Sequence, residues 1–204
     1  MIERRGMLII MSGPSGSGKG TLVSRIIAER EDTVLSVSAT TRTPRPGELD
    51  EVHYFFRTRE EFEVLIEQGE LLEHAQYNGN YYGTLSAPIN KWLAEGKNVV
   101  LEIEVQGAEK IMNHRSDLVS LFITVPSMKE LERRLRNRGT ETEESVMARM
   151  LVARLELTRA FRYDYVILND DLDEAIECIN TVIDAENMRY SRMEKYIMDV
   201  LGKH

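Results

Sequence analysis

The chain alternates short runs of apolar residues with segments whose apolar residues recur at helical spacing. Residues 7–11 form an uninterrupted apolar run, which is typical of a strand buried on both faces of a parallel sheet. Residues 20–30 follow with the period of an amphipathic helix. Further strands are predicted at 98–105, 118–125 and 163–169. Strands that alternate with helices predict an α/β fold with a doubly wound parallel sheet.

Residues 34–85 interrupt this alternation. Thr58 and Glu61 have the spacing of a capping box, which predicts a helix that closes at Gly69. Residues 71–84 contain an Asn-Gly pair between two strand-like runs, which is a strong hairpin signal. The mixture predicts an α+β lobe inserted into the α/β core.

The helical pattern then resumes and continues to the C-terminal stretch. Ser127 and Glu130 predict a second capping box at the start of a helix over 128–139, and a long helix is expected at about 143–162. The polar segment GTETEES at 139–145 has the composition of a moving segment. The last helical stretch is expected to break between 185 and 189. We therefore expect one domain with a core at 6–33, 86–135 and 151–186, the lobe at 34–85, a mobile lid at 136–150 and a C-terminal helix at 187–204.

Composition narrows the class of protein. At 204 residues, with 42% apolar and 29% charged residues, the chain suits one medium-sized globular domain. A single cysteine, Cys178, and the lack of a signal-peptide pattern or a long apolar run predict a cytoplasmic protein without a membrane partner. The net charge of −8 argues against a nucleic-acid-binding face, although it allows a small anionic ligand.

The stretch GPSGSGKGT contains the pattern G-x-x-x-x-G-K between a predicted strand and a predicted helix. Backbone N–H groups of such a loop and the helix N-terminus bind phosphates, and the lysine reaches the β- and γ-phosphates. Gly20 stands where the usual pattern has the Ser or Thr that binds Mg²⁺, which shifts the metal's ligands toward water and nucleotide oxygens. The alternative is a glycine-rich turn with a surface lysine. The loop predicts a P-loop NTPase fold of three layers and an ATP site at Gly13, Pro14, Ser15, Gly16, Ser17, Gly18, Lys19, Gly20 and Thr21.

The chain resembles the guanylate kinases over roughly residues 6–186. The resemblance is carried, in order, by GPSGSGKGT, SVSATTRTPRPGE, YFF, LLEHAQYNGNYYGT, LEIEVQGA, RGTETEES and LND. It implies reversible, Mg²⁺-dependent transfer of the γ-phosphoryl group of ATP to GMP, which gives ADP and GDP in purine nucleotide metabolism. It also implies that the inserted lobe binds GMP and that the lid moves.

By this resemblance the GMP site contains Ser38, Arg42, Arg45, Tyr54, Glu73, Tyr82, Thr84 and Glu104. Two arginines give charge-assisted bonds to a phosphate. The ionised carboxylate of Glu73 accepts from the N1–H and N2–H₂ groups of guanine and meets the acceptor N1 of adenine unfavourably. Either tyrosine alone is equally well explained as a half-buried aromatic residue of a strand.

The family's two aspartates are glutamates in this chain. The resemblance places Glu104 near guanine and Glu102 at the magnesium–water shell, although Glu102 is almost equally well explained as a partner of backbone groups in the loop below. It also assigns the lid arginines Arg134, Arg138 and Arg149 to the transferring phosphates, and, more weakly, Asn169 to the adenine side.

Two other functions compete with this prediction. A kinase-like module that only binds protein partners would be expected to lack the intact loop or the lid arginines, and a P-loop kinase for another acceptor would not need Glu73 together with Ser38 and Thr84. The oligomeric state stays open, because the apolar stripe near the C-terminus is more often core packing than a dimer contact.

Overall fold

A computed structural model describes residues 5–137 and 142–202 of the chain. The strands are β1 (Leu8–Ser12), β2 (Thr33–Leu35), β3 (Ser38–Thr40), β4 (Phe55–Phe56), β5 (Leu71–Tyr77), β6 (Asn80–Leu85), β7 (Asn98–Glu102), β8 (Leu118–Thr124) and β9 (Tyr165–Leu168). The helices are α1 (Lys19–Glu29), α2 (Arg59–Glu67), α3 (Ser86–Ala94), α4 (Val105–His114), α5 (Met128–Arg136), α6 (Glu143–Leu157), α7 (Leu172–Asn187) and α8 (Tyr190–Val200).

The larger sheet is parallel throughout, with the strand order β2-β7-β1-β8-β9. Side chains of the central strand β1 alternate between two cores, because successive residues of a strand point to opposite faces. Ile9 packs with apolar residues of α1 and α7, whereas Ile10 packs with residues of α3 and α4. Both faces of the sheet are therefore covered by helices, as the sequence predicts for a three-layer α/β fold.

The smaller sheet has the order β4-β3-β6-β5 and is formed entirely by the inserted segment. Strands β5 and β6 form the predicted hairpin, and both Asn78 and Gly79 of its turn have positive φ. The predicted capping box at the start of α2 is confirmed in both directions, between Thr58 and Glu61. The alternation of the core thus gives way to a mixed sheet where the sequence predicts it.

Helices α5 and α6 share a small apolar cluster of their own, which includes Leu131, Leu135 and Val146. The prediction of a second complete capping box is wrong: Ser127 accepts from the backbone N–H of Glu130, but the Glu130 carboxylate binds arginines instead. Helix α5 ends at Arg136, earlier than the predicted 139, and α6 ends at Leu157, followed by a 3₁₀ turn.

Two further boundaries complete the comparison with the sequence. The predicted break in the C-terminal stretch is confirmed, since α7 ends at Asn187 and α8 begins at Tyr190. Strand β7 is shorter than predicted, since it ends at Glu102 and Glu104 already caps α4. Among residues 5–137 and 142–202, no helix combines the length and apolar character needed to cross a membrane.

Candidate active site

The glycine loop connects β1 to α1 at the carboxyl edge of the parallel sheet. Gly18 is the N-cap of α1 and has φ of 89°, and a Cβ atom there would lie 2.3 Å from Nδ2 of Asn169. Only glycine combines this left-handed conformation with such close approach. The Lys19 ammonium group donates to the carbonyl oxygens of Gly13 at 2.5 Å and of Pro14 at 3.3 Å. The loop therefore folds back so that its first residues bind the Lys19 side chain, and the N-terminus of α1 lines the cleft.

Side chains from distant segments hold this loop in place. Asn169 is buried, and its amide Nδ2 donates to the carbonyl oxygen of Ser17 at 2.7 Å. Arg134 donates to the carbonyl oxygen of Asn169 at 2.9 Å, and Arg149 donates to the hydroxyl oxygen of Ser15 at 2.8 Å. The structure thus brings Asn169 and two of the three predicted lid arginines to the loop.

The remaining arginines of this region divide as follows. Arg138, the third predicted lid arginine, lies outside the described residues. Arg133 forms an exposed ion pair with Glu130. Arg136 forms exposed ion pairs with Glu132 and Glu143. Both are exposed residues.

A second cleft, of about 570 Å³, lies between the inserted lobe and the core sheet. Ser38, Thr84 and Glu73 occupy one row across β3, β6 and β5, since Ser38 is opposite Thr84 and Thr84 is opposite Glu73. Tyr82 lies two residues before Thr84 on the same face, and Tyr54 joins it with ring centroids 6.4 Å apart. The pairing of the strands therefore gathers residues that are far apart in the chain along one wall.

Glu73 is the most unusual charge in this cleft. Its carboxylate accepts a hydrogen bond from the Thr84 hydroxyl at 2.9 Å. Burial raises the pKa of Glu73 above its ordinary value; the Thr84 bond and the Lys110 ammonium group oppose this rise, and the nearby Glu104 adds to it. A half-buried carboxylate whose second oxygen faces the cleft is suited to accept from a ligand that brings its own N–H donors.

The loop between β3 and β4 places two arginines beside this cleft. Arg42 donates to both carboxylate oxygens of Glu48 at 2.9 Å and lies over the Tyr54 ring, 5.3 Å from its centroid. The backbone N–H of Arg45 donates to Glu48 at 2.7 Å, and Arg45 itself is exposed. Hydrogen bonding to Arg42 lowers the pKa of Glu48. The structure therefore holds Arg42 next to Tyr54, whereas Arg45 is exposed, and neither arginine lines the cleft.

The second cleft shares a wall with the cleft at the glycine loop. Tyr54, Tyr77, Glu102, Ile103 and Glu104 line both. The glycine-loop cleft is larger, about 940 Å³. The two clefts therefore adjoin each other, and direct transfer of a group requires ligands that are held close together.

Glu102 and Glu104 are both exposed on this shared wall. The carboxylate of Glu102 faces the start of α1, since a Cβ atom at Gly20 would lie 3.5 Å from its Oε1. In the described part of the chain no cluster of three or more His, Cys, Asp or Glu side chains could hold a metal ion. The Glu102 carboxylate at the start of α1 fits Mg²⁺, because Mg²⁺ usually takes only one or two protein carboxylates and binds nucleotide and water oxygens besides.

Three charged residues of the site were not predicted from the sequence. Glu48 orients Arg42. Its position three residues after Arg45, in a turn, could have indicated that its carboxylate accepts from the Arg45 backbone N–H. Glu156 lines the glycine-loop cleft from α6, seven residues after Arg149 and thus on the same helix face. Burial raises the pKa of Glu156, Lys19 opposes the rise and Glu104 adds to it. Lys110, which donates to the carbonyl oxygen of His74, has no sequence signal.

Comparison with known proteins agrees with this geometry. The family model for guanylate kinase matches residues 5–186. The guanylate kinase of Clostridium perfringens is 45% identical over 197 residues, which are 97% of this chain and 91% of the relative, and that of Enterococcus faecalis is 47% identical over 198 residues, which are 96% and 97%. The crystal structure of guanylate kinase from Anaplasma phagocytophilum matches with a TM-score of 0.74 and 33% identity, over 100% of this chain and 99% of that one. The chain therefore belongs to the guanylate kinase family.

Proposed function

We propose that the cleft around Glu73 holds GMP, that the glycine loop holds ATP, and that the shared wall is the place of phosphoryl transfer between them. Phosphorylation of GMP by ATP is the activity of the family to which the chain belongs. The observation that carries the assignment of sites is the half-buried Glu73 carboxylate, hydrogen-bonded to Thr84, in the cleft that adjoins the glycine loop.

Guanine selection follows from hydrogen-bond polarity. One oxygen of Glu73 accepts from Thr84, which leaves acceptor capacity for the N1–H and N2–H₂ donors of guanine. Adenine presents an acceptor at N1, so the same carboxylate would meet a lone pair. A site with polar groups matched to one base can reject the other by about 10⁴-fold. Ser38 and Thr84 lie in the same row and are suited to the neighbouring polar atoms of the base.

The acceptor phosphate belongs at the Tyr54 side of the cleft, which is also part of the shared wall. Tyr54 and Tyr82 supply hydroxyl donors, and Arg42, fixed beside Tyr54, supplies a charged donor. The exposed side chain of Arg45, on the same loop as Arg42, would have to turn toward the phosphate to bind it. This orientation directs the phosphate of GMP toward the glycine loop.

Phosphoryl transfer needs positioning and positive charge more than covalent chemistry. The attacking group is already a phosphate oxyanion, so no general base is required. Lys19, Arg134 and Arg149 lie at the glycine loop and stabilise the charge of the phosphates, and we assign Arg138 to the same role. Asn169 holds the loop in the shape that directs its N–H groups to the nucleotide.

We assign Mg²⁺ to the region between the loop and Glu102. When bound, the ion supplies positive charge to the phosphate oxygens and thereby favours transfer. Glu102 is the protein carboxylate best placed to hold it, directly or through its water shell, because its oxygens face the start of α1 and both clefts.

Formation of ADP with Mg²⁺-ATP and GMP, AMP or no acceptor tests the proposal. We expect rapid ADP formation with GMP only. In Lys19→Met the rate of ADP formation should fall by at least 10²-fold, because the positive charge of the lysine at the ATP phosphates is removed. Equal rates with AMP would contradict the assignment of Glu73. Tight GMP binding without ADP formation in folded protein would favour a binding module instead.

A further inference from the structure

Gly20 and Glu102 are neighbours across the glycine-loop cleft. Gly20 is the second residue of α1, and Glu102 is the last residue of β7, the strand that pairs with β1. A Cβ atom at position 20 would lie 3.5 Å from Oε1 and 3.8 Å from Oε2 of Glu102. Two of the positions at which this chain departs from the usual pattern, Gly20 and Glu102, are thus close to each other.

The space beside Gly20 accepts a small side chain. Distances of 3.5–3.8 Å are ordinary van der Waals contacts, and Gly20 is not among the residues with positive φ, so alanine or serine fits without backbone strain. A serine hydroxyl, one bond of about 1.4 Å beyond Cβ, would come within hydrogen-bond range of the Glu102 carboxylate. The missing hydroxyl and the carboxylate therefore belong to the same small region.

We propose that Gly20 and Glu102 form a matched pair, in which the longer side chain of Glu102 compensates toward Mg²⁺ for the hydroxyl that position 20 lacks. The inference rests on the proposed function, since it assigns residues to the metal of that site. An aspartate at 102 would be shorter by one carbon–carbon bond, about 1.5 Å, and would retreat from the loop. With glycine at 20, nothing on α1 would fill the gap, because Thr21 is turned by about 100° around the helix axis.

The pair makes a prediction about metal binding that does not depend on turnover. The affinity for AMP-PNP, a non-hydrolysable ATP analogue, is measured by isothermal titration calorimetry with saturating MgCl₂ and again with excess EDTA, in the absence of GMP. The metal effect is defined as the dissociation constant with EDTA divided by the dissociation constant with MgCl₂. It is determined for the natural chain and for Glu102→Asp, Gly20→Ser, Gly20→Ala and the two double variants.

We expect Glu102→Asp to lower the metal effect by about tenfold, the low end for a lost metal-supporting contact. Gly20→Ser in the Glu102→Asp background should restore it to within about threefold of the natural chain, because the hydroxyl fills the gap. Gly20→Ala in that background should not restore it, because a methyl group adds bulk without a ligand atom. Glu104→Asp, made with and without Gly20→Ser, is the matched control, and its metal effect should show no dependence on the residue at position 20.

Three results would overturn the pair. The first is an unchanged metal effect in Glu102→Asp. The second is equal restoration of the metal effect by alanine and by serine at position 20. The third is a metal effect of the Gly20→Ser, Glu102→Asp double variant equal to the product expected from the two single variants acting independently. Thermal melting shows that each variant is folded, and GMP titration shows that the acceptor site is intact. A chain that phosphorylates GMP but shows no pairing refutes this inference alone, whereas absence of GMP-dependent ADP formation refutes the proposed function.

Discussion

Replacement of Glu73 by glutamine keeps the size of the side chain and removes its charge. The Thr84 hydroxyl donates to one oxygen of Glu73 at 2.9 Å, and the amide oxygen of glutamine would keep that bond. The NH₂ group must then occupy the other position, facing the cleft. Guanine would meet a donor where the natural chain presents an acceptor. Rotation of the amide would restore an acceptor only if the Thr84 hydroxyl turned to accept from the amide N–H, and the restored acceptor would be uncharged.

The magnitude follows from this geometry. Loss of one hydrogen bond to a charged acceptor costs about 1.5–3 kcal/mol, which corresponds to roughly 10- to 150-fold in kcat/KM. As long as Thr84 remains the donor, the two facing N–H groups add a further cost, since a donor of guanine is left unpaired. We therefore expect kcat/KM for GMP to fall by about 10²-fold or more. AMP should lose nothing, because the repulsion with its N1 disappears, so the GMP-to-AMP preference should fall by at least as much.

The assay is initial-rate ADP formation with GMP and with AMP, using the natural chain and Glu73→Gln. Glu70→Gln is the matched control: it removes an exposed charge from the same lobe and should leave both rates unchanged. A Glu73→Gln variant that keeps the GMP-to-AMP preference of the natural chain would refute the assignment of Glu73 to guanine recognition.

Other expectations follow from the same contacts. Because burial raises the pKa of Glu73, GMP affinity should fall with decreasing pH earlier than for an ordinary glutamate, and calorimetry in two buffers should detect proton release on binding near that pKa. A raised pKa in the folded chain also means that ionisation of Glu73 lowers the stability of the fold. Glu73→Gln should therefore melt at a higher temperature than the natural chain at neutral pH, and the difference should vanish in acid. A lower melting temperature of the variant at neutral pH would contradict this sign. Asn169→Ala leaves the Ser17 carbonyl oxygen unpaired, so chemical denaturation should show a loss of about 1–3 kcal/mol, and kinetics a higher KM for ATP with that for GMP unchanged. Glu48→Gln should raise KM for GMP several-fold more than it lowers kcat, because it releases Arg42 from its place beside Tyr54; an unchanged KM would show that Arg42 does not need this support.

The fold was predictable because its signals are local. Buried strands, helical periods, the capping box at Thr58 and the Asn-Gly turn each lie within a few residues, and the structure contains all of them. Helix ends were predicted less well, because they depend on partners elsewhere. Glu130 has the spacing of a capping residue, yet its carboxylate binds Arg133 and Arg134, whose guanidinium groups are stronger partners than a backbone N–H.

The candidate site divides in the same way. The glycine loop is a contiguous motif, so its residues could be named from the sequence. Glu73, Ser38 and Thr84 could be named only through resemblance, since nothing local shows that strand pairing sets them in one row. Glu48 and Glu156 were missed because a surface glutamate in a turn or on a helix is ordinary, and only the fold shows what it faces.

The order of strands explains why the shared wall exists at all. From β1 the chain passes to β2 at the edge of the sheet, and only later does β7 enter between them, so β7 is the direct neighbour of β1. Strands lie about 4.8 Å apart, so Glu102 at the end of β7 comes within reach of α1, which follows β1. Had β2 and β7 exchanged places, Glu102 would begin about 10 Å from β1, and one added methylene could not bridge that distance. The proximity of Gly20 and Glu102 is thus a property of topology, and a sequence shows both departures without showing that they lie side by side.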